Sequence, residues 1–286
     1  MMDFTIDGAS AYDKFGAIIP KGQRNTFLRY PTRASFRYTD FAESHGIQPD
    51  LSVFKAQPRR HSLKLYFRCS GAADFHAKRA AFLNGIGGNW HSYDFGLDHT
   101  LQMRYVSHNS TQSFGAVWKP QGWFALTVTL EENQFQTFYG SMVGGPGLEP
   151  VPVDGIPGGD CEIDGKDLQK FGGIIDGKHS GETAIFADVK EPFNDGRSID
   201  LSEIRRKALD LNLHIWLLSK SKQTLLTNWK ALYATIARPG LISLNMKERG
   251  AASMVFYKDC SNAAAYFGSG WKGINMQLKF TAPSGI

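Results

Sequence analysis

Long apolar runs are missing from this chain of 286 residues, and none approaches the ~18 residues that a membrane-crossing helix needs. Cysteine is scarce. Cys69, Cys161 and Cys260 are odd in number and far apart, which excludes a disulfide framework and metal-ligand spacing and predicts a reducing compartment. The opening MMDFTIDG has no basic stretch followed by an apolar one, so the expectation is a soluble protein made in the cytoplasm without a signal peptide. Long blocks of like charge are absent; runs such as Arg59–Arg60 and Arg205–Arg206 are short. The net charge of +5 is instead spread along the chain. That predicts a solvated surface and no sequence-specific nucleic-acid binding, although a basic protein favours acidic partners.

Catalytic and metal-binding patterns are missing as well. The histidines never stand in HxH, HxxxH or HExxH spacing, so they read as structural or surface groups. The spacings of a nucleophile elbow and of a phosphate loop with its Lys-Ser/Thr do not occur. No cysteine stands beside a histidine in a way that suggests a nucleophile. Asp7 and Asp164 could be taken for paired carboxylates, but each precedes a glycine, where the side chain has a local turn role. The expectation is a protein that is no enzyme and carries no metal or cofactor.

What the chain does have is glycine (30), phenylalanine (20) and a 42% hydrophobic content, which point to β structure with many turns. Its length suits two domains. It also repeats itself. Phe4-Thr-Ile-Asp7-Gly8 leads to Phe15-Gly16-Ala-Ile-Ile19, and Cys161-Glu-Ile-Asp164-Gly165 leads to Phe171-Gly172-Gly-Ile-Ile175. Leu63, Leu65 and Phe67 alternate with polar residues, as do Leu211, Leu213 and Ile215, the period of a half-buried strand. Helical stripes follow: Phe75, Phe82, Leu83 and Ile86, then Leu225, Trp229, Leu232, Tyr233 and Ile236, with Asp74 and Ser221 as N-caps. Each half closes on an alternating strand headed by a tryptophan, Trp123 and Trp271. Pairing those tryptophans predicts that they are equivalent.

This order predicts a β-rich α+β fold of two tandem domains, residues 1–131 and 161–286, each a sheet with one flanking helix. Residues 132–160 hold a Gly/Pro-rich run and read as an extended linker. Two long excursions differ in charge. Residues 20–60 carry Arg24, Phe27, Arg29, Tyr30, Arg33, Phe36, Arg37, Tyr38, Phe41, Phe54, Arg59 and Arg60, whereas 178–208 carry Glu182, Asp188, Glu191, Asp195, Asp200 and Glu203. They are either two solvated hairpins or complementary surfaces that meet, copy against copy or chain against chain. Arg29, Tyr30, Arg33, Arg37, Tyr38, Arg59 and Arg60 are the candidate inter-domain or inter-subunit contacts, since Arg and Tyr are favoured there. Trp123 and Trp271 read as packing residues, or as stacking platforms of a carbohydrate-binding β-sandwich pair.

The segments Phe4–Ile19 and Cys161–Ile175 resemble the first domain of siphophage distal tail proteins, which begin with a short strand, an (I/F)-x-(D/N)-G turn and an FG-φ-φ segment. The wider family includes tail-tube and tail-hub proteins. The resemblance implies β-sandwich or split-barrel domains with a flanking helix, assembled as rings around a lumen. Many distal tail proteins add a galectin-like domain, whereas this chain looks like two tube-like domains in tandem, as in the hubs. The implied partners are the chain itself, as a trimer or hexamer in a virion or prophage tail, together with tail-tube and tail-tip or baseplate proteins.

Overall fold

The computed structural model describes residues 3–39, 47–97, 99–109, 112–114, 122–132, 148–180, 208–247 and 252–284. In chain order the first half holds β1 (Thr5–Ile6), β2 (Ala9–Ser10), α1 (Ala11–Phe15), β3 (Ala17–Ile18), a 3-10 segment (Lys21–Leu28), β4 (Tyr38–Thr39), β5 (Gln48–Pro49), β6 (Arg59–Cys69), α2 (Ala72–Ile86), β7 (Trp90–Asp94), β8 (Thr100–His108), β9 (Gln112–Phe114) and β10 (Gly122–Glu132). The second half holds β11 (Cys161–Ile163), β12 (Lys166–Asp167), a 3-10 turn (Leu168–Phe171), β13 (Gly173–Ser180), β14 (Leu209–Ser219), α3 (Lys222–Ile236), β15 (Ile242–Met246), β16 (Ala252–Phe267) and β17 (Lys272–Ala282). The fold is mainly β with few helices, as the alternation predicts.

The chain forms two compact units that no single cut divides. One comprises Met1–Pro31 with Gln57–Ser141, the other Thr32–Ala56 with Met142–Ile286. Part of the 20–60 excursion therefore folds with residues from the other half of the sequence. Local alternation carries no information on which core an excursion's residues enter.

Within the first unit the strand order is β2-β1-β7-β8-β10-β6-β3, and within the second β12-β11-β15-β16-β17-β14-β13. All of these pairings are antiparallel. The order is the same, except that in the first unit β9 also pairs with β10. So is an irregularity. The register slips between Thr129 and Leu130, where β10 meets β8, leaving Val106 unpaired. It slips between Tyr257 and Asp259, where β16 meets β17, leaving Lys258 unpaired. Leu130 opposite Tyr105 and Phe280 opposite Tyr257 mark the same site in each sheet. Such bulges bend a strand and strengthen its twist. β16 pairs with β15 through residues up to Val255 and with β17 from Phe256 onward, so one long strand serves both ends of a curled sheet.

Register corrects the pairing of the tryptophans. Ala17 lies opposite Phe67, and Gly173 opposite Leu217. Phe67 in turn faces Phe124, and Leu217 faces Ile274. Phe124 is thus the counterpart of Ile274, and Trp123 of Gly273, while Trp271 precedes its strand. A strand's side chains alternate with period two, so a slip of two residues preserves every inward and outward position and escapes a pattern search.

Each sheet packs its core against one helix. In the first unit Phe67 meets Phe75 and Phe82 edge-on at 5.8 and 5.6 Å, Phe15 meets Phe82 at 5.4 Å, and Phe124 stacks on Phe75 at 4.7 Å. α2 buries only Phe75, Phe82 and Ile86. α3 buries a wider arc, including Leu225, Leu226, Asn228, Trp229, Leu232, Tyr233 and Ile236. The reason is cover on further sides. Phe54 of the 32–56 segment lies edge-on to Tyr233 at 6.4 Å, and Asn228 holds the backbone of Val151. Ser221 caps α3 as predicted, whereas the N-cap of α2 is Gly71. Asp74 instead sits in the first turn of α2 and accepts the Ser70 N–H at 2.8 Å.

Candidate functional site

The repeated motif builds the same corner in both units. Asp7 and Asp164 have φ of 52° and 55°, and Gly8 and Gly165 follow at 79° and 73°. Positive φ at two successive positions is what an Asp-Gly hairpin turn demands. The Asp7 N–H donates to the Ser92 carbonyl at 2.8 Å, and the Asp164 N–H to the Ser243 carbonyl at 2.7 Å. Each carboxylate holds a cationic or imidazole partner: His91 Nδ1 on Asp7 at 2.7 Å, Arg238 Nη2 on Asp164 at 2.6 Å. The hydrogen bond from His91 holds the Asp7 pKa below the usual carboxylate value. Both aspartates therefore serve turns within their own units.

A few residues on, Gly16 and Gly172 end α1 and its 3-10 counterpart in the left-handed region, at φ 68° and 70°. Their carbonyls accept the N–H groups of Arg68 (3.1 Å) and Leu218 (2.8 Å). Phe15 and Phe171 stand just before them, buried in their cores. Asp7, Gly8, Phe15 and Gly16 thus match Asp164, Gly165, Phe171 and Gly172 in geometry as in sequence.

The candidate contact residues divide between the units. In the first, Arg59 donates from Nη2 and Nε to Glu132 Oε2 at 2.7 and 3.1 Å, and from Nη1 to the Arg29 carbonyl at 2.5 Å. His61 Nε2 stands 2.9 Å from the same carboxylate oxygen, and Thr26 Oγ1 lies 3.4 Å from His61 Nδ1. The Glu132 side chain is 2% exposed. Burial acts to raise its pKa, but the Arg59 guanidinium and the His61 hydrogen bond outweigh it and bring the pKa down to about 2. Burial lowers the pKa of His61 in turn. The stable arrangement is a neutral imidazole whose Nε2–H donates to a charged Glu132 and whose Nδ1 accepts from Thr26. Glu131 points the other way, to Arg60 Nε (3.0 Å) and Arg104 Nη2 (2.6 Å), both largely in solvent. Tyr30 is buried.

In the second unit Arg33 is 5% exposed. Its guanidinium lies 5.0, 5.6 and 5.7 Å from the rings of Phe54, Phe256 and Phe36, a cation held by aromatic faces. Burial lowers its pKa, and Nη1 has no hydrogen-bond partner among the described residues. The Arg33 N–H donates to the carbonyl of the bulged residue Lys258 at 2.9 Å. The bulge frees that carbonyl from the ladder, and the 32–56 segment takes it. Thr32 Oγ1 donates to Asp259 at 2.6 Å, and the Ile47 N–H to the Pro283 carbonyl at 2.9 Å. Arg29, Arg37 and Tyr38 are exposed, Tyr38 at 61%. Tyr30, Arg33 and Arg59 are therefore committed inside the chain, and Arg29, Arg37, Tyr38 and Arg60 are the exposed members of the set.

Cys69, Cys161 and Cys260 are free and buried. Desolvation raises the thiol pKa of Cys69, and that of Cys161 to about 12, which disfavours the thiolate a nucleophile needs. Among the described residues no group of three His, Cys, Asp or Glu could hold a metal. Gly268-Ser-Gly-Trp-Lys-Gly273 has the GxGxxG spacing, but it joins β16 to β17, a hairpin and not the strand-to-helix turn that binds phosphate. Trp271 within it is 39% exposed with Lys220 Nζ 5.4 Å from its ring, and Trp123 is half-buried. The acidic stretch from Glu182 to Glu203 lies outside the described residues, as do residues 133–147 of the linker.

The first unit also bears a polar groove of about 500 Å³, between α1 and the start of α2, lined by residues including Tyr12, Lys14, Gly16, Arg68, Asp74 and Lys78. No protein-family model matches the chain, and no curated protein does. Among solved structures it is similar to the SPP1 Dit protein, a paradigm of the hub adsorption apparatus in phages infecting Gram-positive bacteria, at 8% identity over 98% of this chain and 97% of that one, with a TM-score of 0.32. A score that low does not bear on fold or function. No helix among the described residues is long and apolar enough to cross a membrane.

Proposed function

We propose that this chain is a structural, non-enzymatic component of a bacteriophage or prophage tail tip: a distal tail or hub protein forming a ring between the tail tube and the host-recognition apparatus. The observation that carries the reading is the repeated unit, with one strand order, one pair of Asp-Gly and Phe-Gly turns, and one shared bulge. It arises by internal duplication of a tube-like domain. Three chains would then supply six similar units, enough to dock on a sixfold tube while offering a threefold face beyond it; six chains are the other ring. The titratable groups support an architectural role, because Glu131, Glu132 and Asp210 are held in internal ion pairs. Exposed Arg29, Arg37, Tyr38 and Arg60 are the residues proposed to meet neighbours. The test is the copy number in purified virions, measured by quantitative mass spectrometry against the tube protein. Three or six copies are expected; a number in the hundreds, or absence from the particle, would overturn the proposal.

A further inference from the structure

The two units differ in what lies over the sheet beside the shared bulge. In the second unit the 32–56 segment covers it. Phe36 meets Phe256 edge-on at 5.0 Å and Phe54 meets Tyr233 at 6.4 Å. The Arg33 N–H donates to the Lys258 carbonyl, and the Gly240 N–H to the Leu51 carbonyl, both at 2.9 Å. Phe256 and Tyr233 are buried as a result. The segment is a hairpin closed on itself, with Arg33 bridging Ala56 and Tyr38–Thr39 paired with Gln48–Pro49.

Register locates the same positions in the first unit. Arg104 lies opposite Glu131 as Phe256 lies opposite Thr281, and Arg60 opposite Glu131 as Asp210 opposite Thr281. Val106 is the bulged residue that matches Lys258. Leu83 holds the place in α2 that Tyr233 holds in α3. Among the described residues no segment makes the matching contacts. Arg104 is exposed, Val106 is 38% exposed, and Leu83 and Trp90 are half-buried. No described N–H from outside the sheet donates to the Val106 carbonyl.

Each half of the sequence carries one excursion at the same place, between β3 and β6 in the first and between β13 and β14 in the second. The first excursion contributes residues 32–56 to the unit built mainly from the other half. Its charges balance, Arg33, Arg37 and Lys55 against Asp40, Glu43 and Asp50. The face under it balances too, Lys258 and Lys279 against Asp210 and Asp259. The uncovered face is different. Arg60 and Arg104 share the single carboxylate of Glu131, and the Arg104 guanidinium lies 5.1 Å from the Trp90 ring. The second excursion differs in the complementary sense. Its residues 182–203 hold six acidic side chains and two basic ones, Lys190 and Arg197, together with Phe186 and Phe193; Arg205, Arg206 and Lys207 follow next to β14.

We propose that the face around Arg104, Arg60, Trp90 and Val106 binds the second excursion, residues 181–207, of another copy of this chain. Its carboxylates meet the two guanidinium groups, and its phenylalanines cover Trp90 and Val106, as Phe36 and Phe54 cover the second unit. The choice of another copy rests on the ring proposed above: an excursion handed from chain to chain is a heterologous contact that can close into a ring.

Two full-length variants test this by sedimentation velocity at low salt. One keeps the face and has a Gly-Ser linker in place of residues 182–203. The other keeps the excursion and carries Arg60→Gln with Arg104→Gln, at exposed positions where an amide can still bond Glu131. Each variant alone is expected to stay monomeric, and their mixture to form a pair that stops at two chains. A labelled peptide of residues 181–207, titrated onto the native chain, guards against poor folding of the linker variant. It is expected to bind at least tenfold more tightly than to the double-Gln chain. No pairing of the mixture together with equal peptide binding by both chains would overturn the proposal. So would self-association of the linker variant, or a native chain that stays monomeric while only the linker variant takes the peptide, since the excursion would then sit on its own chain. These measurements need no virion, so they can fail while the copy number in the tail holds, and the reverse.

Discussion

Glu132 shows how much of the arginine-rich segment is spent inside the chain. Its carboxylate is taken from water and stays charged because Arg59 and His61 both point at Oε2. Removing the charge leaves a buried guanidinium without its partner, so Glu132→Gln is expected to cost about 3 kcal/mol in chemical denaturation, in keeping with a pKa held at about 2 against an ordinary 4.5. The sign with pH follows. Both groups have depressed folded pKa values, so both contribute stability above their unfolded values and lose it on acidification. Loss begins below about 6.5 as His61 must gain a proton and continues below 4.5 toward 2 as Glu132 does. Denaturation midpoints measured from pH 8 to pH 3 should fall in that order, with His61→Gln removing the upper part. A flat profile between pH 7 and pH 5 in the native chain would contradict the neutral imidazole.

At the scale of the elements, the paired corners differ in how closely they are packed. A Cβ at Gly172 would meet the Leu218 carbonyl oxygen at 2.4 Å, whereas at Gly16 the nearest atom, the Arg68 carbonyl oxygen, lies at 3.3 Å. Both positions also need positive φ, which costs any other residue about 1–2 kcal/mol. Gly172→Ala is therefore expected to lower the melting temperature clearly more than Gly16→Ala, and equal effects would show that the backbone at Leu218 yields to the added methyl. The corners themselves are legible in the sequence, because Asp-Gly and Phe-Gly announce a backbone that only a few residue types accept. The strands and helices are legible too, from alternation and from the stripes. Register is not, since a slip of two residues in β10 or β17 preserves the alternation, and Trp123 then pairs wrongly with Trp271. The bulges at Val106 and Lys258 leave no compositional mark. Nor does the path of residues 148–159: Pro and Gly there exclude a helix but do not say that Asn228 holds the Val151 backbone.

At the scale of the whole molecule, sequence order and structural order part company at residues 32–56. Part of the aromatic excursion in the first half belongs to the second unit, where Phe36, Phe54 and Arg33 meet Phe256 and Tyr233. The aromatic content is visible in the sequence; its destination is not, because it is fixed by complementarity with residues far along the chain. The exposed remainder of that set, with the likeness of the two units, is what the proposed ring rests on. The most direct measurement is a reconstruction of the tail tip from intact virions. The account predicts this chain in density at the end of the tube, in three or six copies whose units repeat around the axis. Density for the tip that leaves no place for this chain, or a single copy on the axis, would contradict it.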